Sequence, residues 1–444
     1  MTASRPSLGL EKTTTRETQQ VEMNGNDILW YDLSSLATHD GVASGIQRVA
    51  AGLAVGLREA SGARAIRFCS FDKKRGFVAV SDDETSRILE RVALGLPRPD
   101  KPRRRLVDRI RRRRRTPLAA PFAPGDVLFN PGFATYKREQ QPEVAALLAR
   151  LRVSYVGSVY DLVPVLFPEW WRPDQQSRYR DWLVWTGRSA ALVLACSNST
   201  RGDALRFFAG EKIAAAPVET IRLGDELPHR LRAASADAAR GAAQPPYVLY
   251  VSTLEVRKNH RLLFQVWRRL LAAHGRERIP DLLLAGRRGW LIDDFVTELE
   301  QCRFLDGKIL WREHVEDDEL ARLYAGCLFS VYPSLYEGWG LPVAESLAFG
   351  KTAVVSSASS LPEVGCAFVD YHDPHDVAGA TARIERMVFD RAHRESLERA
   401  IRERFRARTW AESAVELLSH VEPLFARVSG PAGTATAASR AVVR

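Results

Sequence analysis

The chain has 444 residues, of which 45% are hydrophobic, and it carries a formal net charge of +10 at pH 7. This apolar content is sufficient for two hydrophobic cores of ordinary size, which excludes an extended or wholly disordered protein. No apolar run is long enough to cross a membrane and the N-terminus lacks the apolar core of a signal peptide, so we expect a cytoplasmic protein.

The first half begins with a polar tail, residues 1–24, that we expect to be disordered. Ile28–Leu33 is predicted to be a strand, and the helical spacing of apolar residues in Ser44–Leu57 predicts a helix. Gly45 therefore lies in the turn that opens this helix. Such a turn is either an ordinary strand-to-helix connection or a loop that faces a ligand.

A strongly basic segment follows at Lys101–Arg115, KPRRRLVDRIRRRRR, which holds ten basic residues and one Asp. It accounts for nearly all of the net positive charge. Basic residues near an anionic bilayer contribute about 1 kcal/mol each, so an anionic membrane surface is the favoured partner. A solvated loop is the second interpretation, and nucleic acid is an unlikely partner because the segment lacks interleaved aromatic residues.

The next predicted strand is Val153–Tyr160, and Asp161 opens the loop that leaves it. Asp161 is a candidate for orienting a hydroxyl group or acting as a base, and it is equally suited to capping the turn that follows. A strand at Ala191–Cys196 and a helix at Ser197–Phe207 complete the first parallel sheet.

Strands alternate with helices in both halves of the chain, which predicts an α/β protein with two Rossmann-like parallel-sheet domains. A first domain over 25–225 is expected to be joined by an Ala-, Arg- and Pro-containing linker, 226–246, to a second over 247–428. Residues 429–444 are a second expected disordered tail.

The five cysteines have no paired spacing, so neither a disulfide framework nor a metal site is expected. They are Cys69, Cys196, Cys302, Cys327 and Cys366.

Two adjacent cations, Arg257 and Lys258, follow the predicted strand Tyr247–Ser252 and precede the predicted helix His260–Leu271. Cations at a helix start are disfavoured by the helix dipole, so their position calls for an anionic partner. A diphosphate is such a partner, and the same cations would stabilise charge that develops on it as a leaving group.

Two further strand-to-loop transitions are predicted at the same sheet edge. Leu282–Gly286 leads into a loop that contains Trp290, and Ile309–Val315 precedes an acidic helix at Asp317–Ala325. Trp290, like Trp339 further along, would either stack on a ligand or fill a crevice, and packing is the more common role of a lone Trp.

The most informative segment is Val331–Glu363, VYPSLYEGWGLPVAESLAFGKTAVVSSASSLPE. It predicts a buried strand, a tight turn at Gly338 and Gly340, and a helix with Pro342 in its first turn. The free amides at the N-terminus of such a helix attract an anion. Glu337 and Glu345 flank the turn, and beside a phosphate they are suited to accept hydrogen bonds from hydroxyl groups.

The residues EGWGLPVAESLAFG and SSASSLPEVG resemble the nucleotide-sugar signature of glycosyltransferase family 4, the retaining GT-B enzymes. The segment 247–267 is similar to the opening strand of that family's nucleotide-binding domain. The resemblance covers most of 27–425 and is densest in the second half. It implies two Rossmann-like domains that face each other across a cleft, with the last helix returning to the first domain.

The resemblance also implies roles for individual residues. Lys258 and Arg257 would bind the donor diphosphate, with Arg257 replacing an arginine that many members carry where Thr253 stands. Glu337 would hold the transferred sugar and Glu345 the ribose. Tyr160 stands where the family has a histidine, which leaves Asp161 as the candidate on that loop. The remaining predicted donor-site residues are Gly338, Trp339, Gly340, Leu341, Thr253, Val315, Gly286 and Gly45.

The implied function is retaining transfer of a hexose from a nucleoside-diphosphate sugar to a lipid-linked or polysaccharide glycan, with no metal or other cofactor. Similarity to mannosyltransferases favours GDP-mannose as the donor. The alternatives are a rhamnosyl- or glucosyltransferase that uses a dTDP- or UDP-sugar, and a non-catalytic GT-B subunit. The expected location is the cytoplasm, peripherally at the inner face of the cell membrane.

Overall fold

A computed structural model of the chain describes residues 27–41, 43–60, 65–97, 118–132, 135–225 and 245–426. It forms two open β-sheets, each flanked by helices, and one sheet lies on either side of the predicted linker. The predicted tails, the basic segment 101–115 and all but the last two residues of the linker lie outside the described residues.

The first sheet has seven strands in the order β3-β2-β1-β4-β5-β6-β7. All neighbouring strands are parallel except β2 and β3, which pair antiparallel at one edge. Every residue of β1, β4 and β6 is buried, as expected for strands covered on both faces. The strands are β1 Leu29–Asp32, β2 Ile66–Asp72, β3 Gly76–Val80, β4 Val127–Asn130, β5 Ser154–Val159, β6 Leu192–Ala195 and β7 Val218–Thr220.

The second sheet has six strands, all parallel, in the order β10-β9-β8-β11-β12-β13. This is the doubly wound order, in which the direction of strand addition reverses between β8 and β11 and a ligand crevice opens beyond their carboxyl ends. The strands are β8 Tyr247–Val251, β9 Asp281–Ala285, β10 Ile309–Arg312, β11 Ser330–Tyr332, β12 Ala353–Ser356 and β13 Asp370–His372.

Helices connect the strands of both sheets. Those of the first domain are Ser34–Thr38, Gly45–Ala60, Asp82–Ala93, Gln141–Leu151, Val163–Leu166, Pro173–Ser189 and Asn198–Gly210. Those that follow are His260–His274, Asp293–Gln301, Asp317–Gly326, Leu341–Ala348, Leu361–Gly365, Val377–Phe389, Arg391–Arg404 and Trp410–Ala426. Single 3₁₀ turns lie at Pro168–Trp170, Val256–Lys258 and Arg276–Arg278. Arg303–Gly307 forms one turn with left-handed φ angles at its first four residues.

The predicted α/β class with two parallel sheets is confirmed. Most predicted elements agree with the structure to within three residues at each end. The strand predicted at Ile309–Val315 is shorter, because it ends at Arg312 and the chain then leaves the sheet toward the next helix. Within the described residues, no helix is both long and apolar enough to cross a membrane.

The last helix, Trp410–Ala426, packs along Gly45–Ala60 of the first domain. Three glycines make room for Trp410: a Cβ atom at Gly52 or Gly224 would collide with the Trp410 ring, and one at Gly56 would collide with its carbonyl group. The helix that ends the described chain is therefore part of the packing of the first domain.

Gly56→Ala is expected to destabilise the protein by about 1–3 kcal/mol, because the added methyl group overpacks the contact with Trp410. The unfolding midpoint in a thermal melt should fall by several degrees. Gly210→Ala is the matched control, since Gly210 ends a helix and a Cβ atom added there would meet nothing within 4 Å. Equal midpoints for the two variants would contradict the packing argument.

Candidate functional site

The candidate site lies at the switch point of the second sheet, where the loops after β8 and β11 meet. The backbone amide of Leu335 donates to the carbonyl oxygen of Arg257 over 2.9 Å. The Asn259 side chain donates to the carbonyl oxygens of Pro333 (3.0 Å) and Pro374 (2.8 Å). Asn259 has a left-handed backbone with φ of 57°, a conformation that Asn tolerates better than most residues. These bonds hold the two loops together.

Glu337 is the centre of the site. Its carboxylate pairs with Arg257 Nη1 and Lys258 Nζ, each at 2.6 Å, and the residue is only 7% exposed. Burial alone would raise the pKa of this carboxyl group, but the two cations outweigh burial and lower the pKa to about 2. Glu337 therefore stays ionised at any ordinary pH.

A second carboxylate, Glu255, holds the same arginine. Glu255 Oε1 accepts from Arg257 Nη2 at 2.7 Å, and Arg257 Nη1 also donates to the carbonyl oxygen of Tyr336 at 2.7 Å. Burial would lower the pKa of Arg257, but Glu337 and Glu255 raise it above its ordinary value. Sequence reasoning did not select Glu255, although its position two residues before Arg257, in the same loop after a predicted strand, was a usable signal.

The glycine turn after Glu337 is tightly packed. A Cβ atom at Gly338 would collide with the carbonyl oxygen of Tyr160, and Gly340 has φ of 131°, which L side chains rarely adopt. The helix begins at Leu341, so the Leu341 amide lies at this turn, while Pro342 has no N–H and the Val343 amide donates to the Gly340 carbonyl oxygen at 2.9 Å. Trp339 is 7% exposed and belongs to the hydrophobic core, which supports packing rather than ligand stacking.

Glu345 is buried one turn inside that helix, where it contacts the first domain. Its Oε1 pairs with Arg48 Nη2 at 2.5 Å, and its Oε2 accepts from the Tyr324 hydroxyl at 2.9 Å. The negative charge of Glu345 raises the pKa of Arg48 above its ordinary value. A Cβ atom on Gly45 would lie 3.8 Å from Leu341 Cδ1, so the predicted Gly45 turn faces the glycine turn of the second domain.

Asp161 caps a turn, which is one of its two predicted roles. Its Oδ1 accepts from the Val163 amide at 3.1 Å, which caps the turn after β5. Burial raises the pKa of Asp161, while nearby Arg257 opposes this increase. The carboxyl group therefore lies within the electrostatic influence of the cation pair and is also a structural cap.

Contacts between the domains surround this site, and sequence reasoning missed them. Cys196 Sγ donates to the carbonyl oxygens of Tyr160 at 3.0 Å and Gly338 at 3.1 Å, and Thr200 Oγ1 bonds the same two oxygens. The Glu363 carboxylate accepts from the Asn198 and Ser199 amides, each at 2.9 Å, at the N-terminus of the helix Asn198–Gly210. Burial raises the pKa of the Cys196 thiol to about 12, so it remains a neutral donor.

Three predicted donor-site residues lie further along the sheet edge. Gly286, at the end of β9, packs against the backbone of Ser252, and a Cβ atom at Gly289 would approach the Thr253 methyl group to 2.9 Å. Val315 packs, partly buried, on a separate apolar cluster beside β8 and β9. In the described parts of the chain, no three His, Cys, Asp or Glu side chains converge as a metal site.

The fold and the site together define a two-domain GT-B protein. The solved structure of HepE from Anabaena, in complex with UDP and glucose, matches with a TM-score of 0.58 at 15% identity, over 89% of this chain and 100% of that one. Sucrose-phosphate synthase from Thermosynechococcus elongatus matches with a TM-score of 0.59 at 17% identity, over 90% of this chain and 100% of that one. At these identities the likeness confirms the predicted GT-B fold.

Residues 235–404 match the family model "Glycosyl transferases group 1". O-antigen chain mannosyltransferase B of Escherichia coli is 34% identical over 246 residues, 54% of this chain and 62% of the relative. The serotype-specific mannosyltransferase WbdA of Escherichia coli is 26% identical over 277 residues, 59% of this chain and 33% of the relative. The chain thus spans less than two thirds of the length of these relatives.

Glu337→Gln is expected to lower the unfolding free energy at pH 7 by roughly 3 kcal/mol, because two buried cations lose their common carboxylate. The folded pKa of Glu337 lies below its ordinary value of 4.5, so the stabilisation is present above pH 4.5 and is lost as pH falls toward 2. Urea unfolding of wild type and variant at several pH values measures this difference.

The exposed carboxylate Glu139 provides the control, since its only described ion pair is a 3.9 Å contact with Lys137 at the surface. Glu139→Gln should change the unfolding free energy by less than about 0.5 kcal/mol across the same pH range. If the difference in unfolding free energy between wild type and Glu337→Gln did not decrease as the pH is lowered, the ion-pair assignment would be contradicted.

Proposed function

We propose that the protein is a retaining glycosyltransferase that transfers a hexose from a nucleoside-diphosphate sugar to a lipid-linked or polysaccharide glycan. GDP-mannose is the proposed donor, and mannose is the sugar that is transferred. The observation that carries this proposal is the buried Glu337, held by two cations at the switch point of the second sheet. The two mannosyltransferase relatives support the choice of sugar.

A bound diphosphate would compete with Glu337 for Arg257 and Lys258. Its charge would be balanced by these cations and by the backbone amides of Gly338–Leu341, which lead into the helix that begins at Leu341. The Glu337 carboxylate would then be released to accept hydrogen bonds from the sugar hydroxyls. Glu345, which accepts from Arg48 and Tyr324 in the structure, would also accept from the ribose.

In the proposed transfer the bond from the anomeric carbon to the diphosphate oxygen breaks, and its electron pair stays on the diphosphate. The acceptor hydroxyl oxygen attacks the same carbon from the same face, and its proton passes to the departing phosphate oxygen. Arg257 and Lys258 stabilise the charge that develops on the leaving group. No metal is required in this proposal, so transfer should be unchanged by EDTA.

Calorimetric titration with GDP, UDP, dTDP and ADP tests the donor. GDP is expected to bind selectively, and Lys258→Ala should weaken this binding by about tenfold or more, because a charge-assisted bond to phosphate is lost. Arg261→Ala is the matched control, since Arg261 lies three residues away but pairs with Asp294 and Glu298 at the surface. A chain that binds no nucleotide would instead be a non-catalytic GT-B subunit.

Glu337→Ala is expected to reduce transfer of sugar from the donor to glycan by at least about a hundredfold, because it removes the hydroxyl acceptor beside the reacting carbon. Transfer is measured with purified protein at pH 7. Circular dichroism should show an intact fold at the assay temperature. Full activity in a folded Glu337→Ala variant would reject the assignment of this site.

Membrane association is a separate part of the proposal and depends on the basic segment Lys101–Arg115. Cosedimentation with phosphatidylserine vesicles is expected, and it should weaken as salt screens the charges. Replacing the five consecutive arginines 111–115 by Ser should abolish sedimentation. Neutral phosphatidylcholine vesicles are the control, and equal binding to both lipids would contradict an electrostatic attachment.

A further inference from the structure

Aromatic side chains from both domains meet beside the candidate functional site. We name this group the aromatic rim: it consists of Phe167, Trp170, Trp171, Trp290 and Tyr336. The first three follow β5 in the first domain, and the last two follow β9 and β11 in the second. The carboxyl ends of strands from both sheets therefore supply the rim, at the edge where transfer is proposed.

Direct ring contacts connect the members of the rim. Phe167 stacks on Trp170 with a centroid distance of 4.2 Å and an angle of 13°, and it contacts Tyr336 at 5.2 Å. Trp171 contacts Trp290 at 5.3 Å, and the Trp290 indole donates to the Trp170 carbonyl oxygen at 2.8 Å. The hydrogen bond from Trp290 to the Trp170 carbonyl oxygen joins the two domains and does not involve the Trp170 ring.

The rim remains partly open to solvent. Trp290 is 37% exposed, and the adjoining Leu166 and Leu291 are 40% and 53% exposed. Leu291 also has a left-handed φ of 54°, a conformation that leucine rarely adopts and that is enriched at functional sites. Exposed apolar residues that adjoin one another in this way mark a binding surface better than isolated ones do.

The rim is continuous with the candidate reaction centre. Phe167 lies on the loop that Asp161 opens, and Tyr336 directly precedes Glu337. Among the described residues, the buried Tyr336 hydroxyl oxygen has no hydrogen-bond partner. A ligand on the rim would thus extend toward both carboxylates.

The charges around the rim indicate what kind of ligand it suits. Three acidic and three basic exposed side chains lie within three residues of its tryptophans, so the surface has no net charge to attract an anionic bilayer. The C–H face of a sugar ring is apolar and packs on aromatic faces, while its hydroxyls bond to surrounding charged groups. The six residues are Glu169, Asp174, Asp293, Arg172, Arg287 and Arg288.

We infer that the aromatic rim binds a sugar ring of the acceptor glycan and orients it toward the reaction centre. This inference rests on the proposed glycosyltransferase function, because the acceptor is defined by that reaction. Trp170 and Trp171 contribute the stacking surface of the first domain, and Trp290 of the second domain contacts this surface.

Kinetics of Trp170→Ala and Trp171→Ala test the inference. Each variant should raise the KM for an oligomannoside acceptor by about tenfold, a loss in the range expected for one aromatic contact. The binding of nucleotide and the slow hydrolysis of donor without acceptor should stay within about twofold of wild type. Trp170→Phe should recover most of the acceptor affinity, because it retains an aromatic face.

Phe389→Ala is the control, since Phe389 is an exposed aromatic residue, 39% exposed, that packs on His274 away from the cleft. An unchanged acceptor KM in both tryptophan variants would overturn the inference, even if the protein binds nucleotide and hydrolyses the donor as proposed. If the tryptophan variants kept the acceptor KM of wild type but no longer bound vesicles, the rim would be a membrane contact, and the inference would also be overturned.

The failure of the proposed function gives a different result. A wild-type chain that neither binds nucleotide nor hydrolyses donor would reject the enzyme. Quenching of tryptophan fluorescence by the oligomannoside alone then still tests the rim: saturable quenching that Trp170→Ala weakens supports it, and the absence of quenching rejects it.

Discussion

The ion triplet of Glu337 with Arg257 and Lys258 is the interaction on which the arrangement of the site depends. Burying these charges is costly unless each is paired, and the loops after β8 and β11 must therefore stay together for the fold to tolerate them. Glu255 adds a second carboxylate on Arg257, so the two cations are matched by two anions. The buried charges of the site are thus paired within the protein.

The same loop also determines how the domains meet. Gly338, next to Glu337, presents its carbonyl oxygen to Cys196 and Thr200 of the first domain. Arg48 reaches Glu345 across the same boundary, and Glu363 caps a helix of the first domain. Any ligand that separates Glu337 from its cations would consequently act on these contacts between the domains.

Sequence reasoning was most effective where the signal is local. The strand, glycine turn and helix around Glu337 follow from apolar periodicity and the placement of Gly and Pro, and these patterns depend on neighbours within a few residues. The partners of Cys196 and Glu363 lie 142 and 165 positions away along the chain, and no local pattern encodes such pairs. The proximity of Asp161 to Arg257 is likewise invisible in any local pattern, because only the packed domains bring the two residues together.

The crossing helix Trp410–Ala426 makes the two halves of the chain depend on each other. The chain leaves the first domain after Asp225 and returns beside it, where the Asp225 amide donates to the Arg408 carbonyl oxygen at 3.0 Å. The points at which the chain leaves and re-enters the first domain therefore lie side by side. Neither half is a separable unit, because a cut between them would leave Trp410 without the glycine-lined groove that receives it.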